Sequence, residues 1–241
     1  MTTAPEGFAA RLRQATTPDH EQAESSSFMD GLLAGEVNLA AYHLLTRQHL
    51  ELYRALEASA DALRGDPVVA ALHDPALERV PALLADLAWL RRERGVEVEE
   101  VLPATRRYAD RIQEVAANWP GGYVAHHYTR YLGDLSGGLH LGRILAGQLA
   151  GGTTFYRFDG VPSPKRCKDA YRATLDAAPW DAGEQQRIVA EVSQAYAHNR
   201  AVLAALEQRA HAASVDTEMS VRHRGRRRAP APGLVRDDAR S

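Results

Sequence analysis

Chemistry is most concentrated in the run Tyr128-Thr-Arg-Tyr-Leu-Gly-Asp-Leu-Ser-Gly-Gly-Leu139, in a helical context set by Val124, His127, Ile144, Leu145 and Leu149. Gly133, Gly137 and Gly138 each cost roughly 1 kcal/mol relative to alanine in a helix interior, so something must offset them. Gly133 and Gly137 stand four apart and share a face. A flat object can approach the bare backbone there, and the helix can bend. Asp134 lies between them. A carboxylate in an otherwise apolar helix wants a water or an arginine partner, and Arg130, one turn earlier, is in reach. An isolated Gly-x-x-x-Gly reads as a close helix crossing; the added Asp, Arg, Ser and Tyr make that reading less economical.

A second run, Thr17-Pro-Asp-His-Glu-Gln-Ala-Glu24, places Glu24 one helical turn after His20. Neutral imidazole is the commonest protein ligand to haem iron. Glu24 is placed to accept the second ring N–H of His20, directly or through water, which would fix the tautomer. His126 and His127 are the rival ligands. Thr17 suits an N-cap with Pro18 at the first helical position, so a kink or restart is expected there. Other sites are excluded. There is no Gly-x-Gly-x-x-Gly after a strand, no P-loop and no Glu-x-x-His. The single cysteine, Cys167, excludes cysteine-rich metal sites and any intrachain disulfide.

Taken together, the two runs resemble the haem oxygenase family over residues 8–210. The glycine-rich run looks like that family's distal-helix signature. His20-Glu-Gln-Ala-Glu24, followed by Phe28-Met29, looks like its proximal one. Cys167-Lys-Asp-Ala-Tyr-Arg172 resembles the segment that holds the haem propionates, and Tyr196-Ala-His-Asn199 a late helix of the pocket. The sequence departs from the family at Leu139, where glutamine is usual.

The resemblance implies haem b as both cofactor and substrate, dioxygen as co-substrate, and release of biliverdin, CO and ferrous iron. His20 would ligate the iron, supported by Glu24. Gly133, Gly137 and Gly138 would face the distal side of the ring. Asp134 would organise distal waters and pass on a proton, with Arg130, Tyr53, Thr129 and Asn199 around it. Lys168, Arg172, Tyr128 and Arg13 would bind the propionates. Met29, Tyr196 and Leu203 would pack on the macrocycle. The electron donor would be a ferredoxin or flavoprotein reductase. A non-catalytic haem carrier would use the same His20 without needing Asp134, and remains the alternative. A helical protein binding another aromatic ligand is a third reading.

The elements that must position these groups read as helices. Leu39, Tyr42, Leu45, Leu52, Tyr53, Leu56 and Leu63 recur near helical spacing after an Asn38 cap, and Gly65 ends them. Asp66-Pro67 starts a short helix. Further helices are expected over 79–94, from Pro103 to about Asn118, through 121–149, from Ser163-Pro164 to about 177, and from an Asp181/Glu184 capping box to about His211. Residues 151–162 read as a loop with a short extended piece. The fold class is therefore all-α, eight or so helices in a single domain over 1–211.

The chain of 241 residues is long enough for one buried core, with 45% hydrophobic and 25% charged residues. Its formal net charge of -2 gives no reason to expect a specific nucleic-acid partner. Residues 212–241 hold seven arginines against Asp216, Glu218, Asp237 and Asp238, a balance of +3 that leaves -5 on the rest. With little apolar surface to bury, that tail is expected to be disordered. No signal peptide or run of ~18 apolar residues is visible, so a cytoplasmic monomer without a transmembrane anchor is expected.

Overall fold

The computed structural model describes residues 7–24, 26–34, 38–95 and 100–226, with the side chains of Glu24, Arg94 and residues 213–226 outside that description. Among the described residues there are ten α-helices, and every regular element is helical. They are α1 Phe8–Glu24, α2 Ser27–Leu33, α3 Leu39–Ala62, α4 Pro67–Leu72, α5 Val80–Arg94, α6 Pro103–Asn118, α7 Pro120–Gly133, α8 Leu139–Ala146, α9 Pro164–Ala177 and α10 Ala182–Arg226. A π-helical turn, Asp134–Gly138, joins α7 to α8. Residues 1–207 form one compact unit and 208–241 a second. In the second, the described backbone is helical to Arg226. The expected tail boundary at 212 thus falls inside α10, and residues 227–241 lie outside the described residues.

Local signals explain most helix starts. Asn38 accepts from the Ala40 and Ala41 N–H groups, Asp66 from Val68 and Val69, and Ser163 from Arg166. Asp181 accepts from the Glu184 N–H at 2.7 Å. The other half of that capping box is diverted, because the Glu184 carboxylate accepts from the Trp119 indole instead. α3 is the central helix and packs against α5 and α6, burying Tyr42, Leu45, Leu52, Tyr53 and Leu56.

Three expectations need correction. α1 runs through Pro18 without restarting. Thr17 is not a cap; its hydroxyl donates to the Arg13 carbonyl at 2.9 Å, and the Thr16 hydroxyl to Leu12 at 2.8 Å. These hydroxyls occupy carbonyls of the turn that the proline disturbs. The stretch 121–149 is two helices around the π-turn rather than one. The extended piece expected within 151–162 is a 3-10 turn, Thr154–Tyr156. The turn forms because Asp86 of α5 accepts both the Thr154 and the Phe155 N–H groups, at 2.8 and 2.7 Å. Just before it, Gly152 has φ 74°, a left-handed conformation that suits glycine. Its carbonyl accepts from the Tyr42 hydroxyl at 2.6 Å.

α6, α7 and α10 meet at the buried Glu191. Its carboxylate accepts two bonds from the Arg111 guanidinium, at 2.9 and 2.7 Å, and one from His126 Nε2 at 2.9 Å. Burial alone would raise the Glu191 pKa; the bonds from His126 and Arg111 outweigh it and hold it at about 2. A folded pKa below the unfolded value of 4.5 gives stability that is complete above 4.5 and lost as pH falls toward 2. Glu191→Gln is expected to cost about 2 kcal/mol at neutral pH, with a smaller loss below pH 4. Urea unfolding across that range checks this; parallel pH curves for the two proteins would count against it.

Candidate active site

α1 and α10 are tied together beside His20. The Ser193 hydroxyl donates to Asp19 at 2.6 Å, and Arg200 lies 3.6 Å from the same carboxylate. The start of α1 is fixed by Asp176 of α9, which accepts the Ala9 N–H at 2.7 Å. These anchors set the His20 ring edge-on to Tyr196, centroids 5.9 Å apart.

His20 lines a cavity of about 440 Å³. The same cavity is walled by Gly133, Asp134, Gly137 and Gly138 of the α7–α8 junction, by Thr129 and Arg130 of α7, by Tyr196, Asn199 and Leu203 of α10, and by Met29 of α2. A second cavity of about 490 Å³ shares His20, Gly133, Ser136 and Tyr196 with the first, and adds Arg13, Tyr128, Lys168 and Arg172. One cleft results, apolar and glycine-walled at depth, cationic toward its mouth.

The π-turn shapes the floor of this cleft. Such turns widen the helix locally and recur at functional sites. A Cβ placed on Gly133 would meet nothing within 4 Å, so that backbone opens directly onto the cavity. Gly138 differs: its Cβ would lie 3.3 Å from Asp134 and 3.7 Å from Tyr156. The contact with Tyr156 would be ordinary, whereas Asp134 would have to give by a few tenths of an ångström. Gly142 is more restrictive, because Tyr156 occupies the space a Cβ would need.

Asp134 accepts a hydrogen bond from the Tyr53 hydroxyl. Tyr53 is fully buried and stands behind Asp134 rather than on the cavity wall. Burial pushes the Asp134 carboxyl well above the usual aspartate range. Arg130 is not its partner, contrary to the expectation from their spacing. The guanidinium donates to Asn199 at 3.0 Å and lies over the Tyr53 ring at 5.3 Å, leaving its Nε without a partner. Burial lowers the Arg130 pKa, opposed by the Tyr108, Tyr156 and Tyr131 phenols. The Thr129 hydroxyl bonds back to the Ala125 carbonyl at 2.8 Å.

At the mouth, Lys168 donates to the Ser136 hydroxyl at 2.8 Å and Arg172 to Asp169 at 3.1 Å. The rival histidines are spoken for. His126 is bound to Glu191, and His127 pairs with the Tyr171 hydroxyl at 2.9 Å. Burial holds His127 neutral, with a pKa of about 3. Of the expected site residues with described side chains, only Tyr53 is absent from the cavity walls; the Glu24 side chain lies outside the described residues. The sequence reading missed His49, Tyr156 and His140, which line the deeper cavity. His49 was findable, because it precedes Tyr53 by one turn of α3.

The haem oxygenase family model matches residues 6–205. Heme oxygenase 2 of Synechocystis is 35% identical over 207 residues, covering 83% of each chain. Heme oxygenase of Pyropia yezoensis is 36% identical over 196 residues, covering 80% of this chain and 82% of its own. The crystal structure of Synechocystis heme oxygenase-1 in complex with heme superposes with a TM-score of 0.80 at 32% identity, covering 90% of this chain and all (100%) of that one. The chain belongs to the haem oxygenase family. As a haem oxygenase it is a haem-degrading enzyme, and the all-helical fold expected from its sequence is the one observed. The cleft suits haem by its own chemistry. An imidazole and the open backbone at Gly133 share one cavity, a neutral-leaning carboxyl sits on its wall, and cationic groups gather where a dianionic edge would emerge.

Proposed function

We propose that this haem oxygenase converts haem to biliverdin, CO and ferrous iron, drawing electrons from a ferredoxin or flavoprotein reductase in the cytoplasm. The observation that carries the reading is the convergence of His20, Gly133 and Asp134 on one cavity. Bound haem supplies an iron that takes up dioxygen and a ring whose own carbon is oxidised. His20 would hold the iron as its protein ligand, with Glu24, whose side chain lies outside the described residues, as the acceptor expected for its second ring N–H. Gly133 and Gly137 leave room for dioxygen against bare backbone. Asp134, kept protonated by burial and held by Tyr53, donates a proton through water. Arg130 and Asn199, joined to each other, and Thr129 order that water. Met29, Tyr196 and Leu203, which line the cavity, would hold the apolar body of the ring. Gly138 acts by leaving Asp134 its place beside the cavity. No helix among the described residues is long and apolar enough to cross a membrane.

Titrating the protein with haemin, then adding ascorbate in air, tests the reading. An oxygenase loses its Soret band and yields biliverdin and CO. A stable Soret band under turnover would favour the carrier.

Lys168, Arg172, Tyr128 and Arg13 fix the ring in its plane through the propionates. Lys168→Ala with Arg172→Ala is expected to weaken haem binding about tenfold and to mix the biliverdin isomers. Chromatography of the products reads this; an unchanged isomer pattern and affinity would remove these residues from the site.

A further inference from the structure

α3 presents Leu45, His49 and Tyr53 at successive turns of one face. Leu45 and His49 line the deep cavity, and the Tyr53 hydroxyl reaches Asp134. Leucine would continue the apolar stripe of this helix at position 49. An imidazole stands there instead, half-buried on the cavity wall and tilted against Phe155 with centroids 5.0 Å apart. Phe155 in turn touches both Tyr53 and Tyr156. Among the described residues, neither ring nitrogen of His49 has a hydrogen-bond partner. A ring without a side-chain or backbone partner on a cavity wall is placed to pair with a small polar group inside the cavity.

We propose that His49 is a hydrogen-bonding residue of the dioxygen side of the cleft, holding the small polar ligand there together with Asp134 and Arg130. Burial, and secondarily the Arg130 charge, keep its imidazole neutral. A neutral ring carries one donor and one acceptor. It can accept a hydrogen bond from a water while donating one to an anion or to dioxygen. Asp134 is tied to Tyr53 and Arg130 to Asn199. His49 is the polar wall group of this set that is not committed to another side chain. The assignment rests on the cleft being the haem site.

The test is fluoride affinity of the ferric haem complex, which senses donors near the exogenous ligand without turnover. His49→Leu is expected to take up one haemin with affinity within about twofold of the parent, and to lose about tenfold in fluoride affinity. His49→Gln, which keeps a donor, should retain most of it. His49→Met repeats the loss should the leucine variant not fold. Unchanged fluoride affinity in the apolar variants overturns the proposal. Conversion of a low-spin parent to high spin by these substitutions also overturns it, because His49 would then ligate the iron itself. Failure of the parent to bind haemin sinks the cleft assignment, and this proposal with it.

Discussion

A His20→Ala protein is expected to lose imidazole-ligated haem and, with it, on the order of a hundredfold or more of turnover. The ring lies between the two cavities, edge-on to Tyr196, on a helix pinned by the Asp19 contacts to Ser193 and Arg200. His126 and His127 cannot replace it. Each is buried and hydrogen-bonded elsewhere, at Glu191 and Tyr171. His49 and His140 share the deep cavity, so the variant spectrum also tests them as substitutes. Truncation at Cβ frees space next to Tyr196, so added imidazole should enter and restore much of the parent spectrum and activity. An alanine variant whose ferric, ferrous and CO spectra match the parent would rule out His20 as the ligand.

Asp134→Ala is expected to bind haem within about threefold of the parent, yet to form biliverdin on the order of a hundredfold more slowly. The carboxyl touches Tyr53 and faces the cavity, and no described cation is paired with it. Its value lies in the proton it retains. A stability readout gives an independent check of that proton. The folded pKa lies above the unfolded one, so the folded state binds the proton more tightly. The parent therefore loses stability as pH rises from about 4 through the folded pKa, and the loss is complete above it. Asp134→Asn removes that dependence. Its stability relative to the parent should rise between pH 4 and pH 8, while catalysis stays impaired. Full biliverdin yield from the alanine variant would exclude the proton-donor role, and a flat stability difference would exclude the raised pKa.

Legibility followed the range of the interaction. Asn38, Asp66, Ser163 and Asp181 cap helices as their local patterns predict, since a cap is settled within three residues. His20 and the glycine-rich run were legible because spacing on one helix fixes which groups share a face. The Asp134 partner was not. Spacing on α7 nominated Arg130, but the choice was made by α3 and α10, which offer Tyr53 and Asn199 from far along the chain. Tyr156 was hidden for the same reason. It sits in a short turn without periodicity, and its place depends on Asp86 of α5 and on the missing side chain of Gly142. The π-turn was foreshadowed only as a bend. Three glycines show that a helix is costly there, but not how its hydrogen bonds rearrange.

Asp86 gives the enzyme a control point outside its own reaction chamber. The carboxylate never reaches the cleft, yet its grip on the Thr154 and Phe155 amides decides where the neighbouring phenol of Tyr156 stands. Enzyme engineers seeking room for bulkier porphyrins need not remove a wall. They can loosen the latch on α5, which also holds Phe155 against His49 and Tyr53.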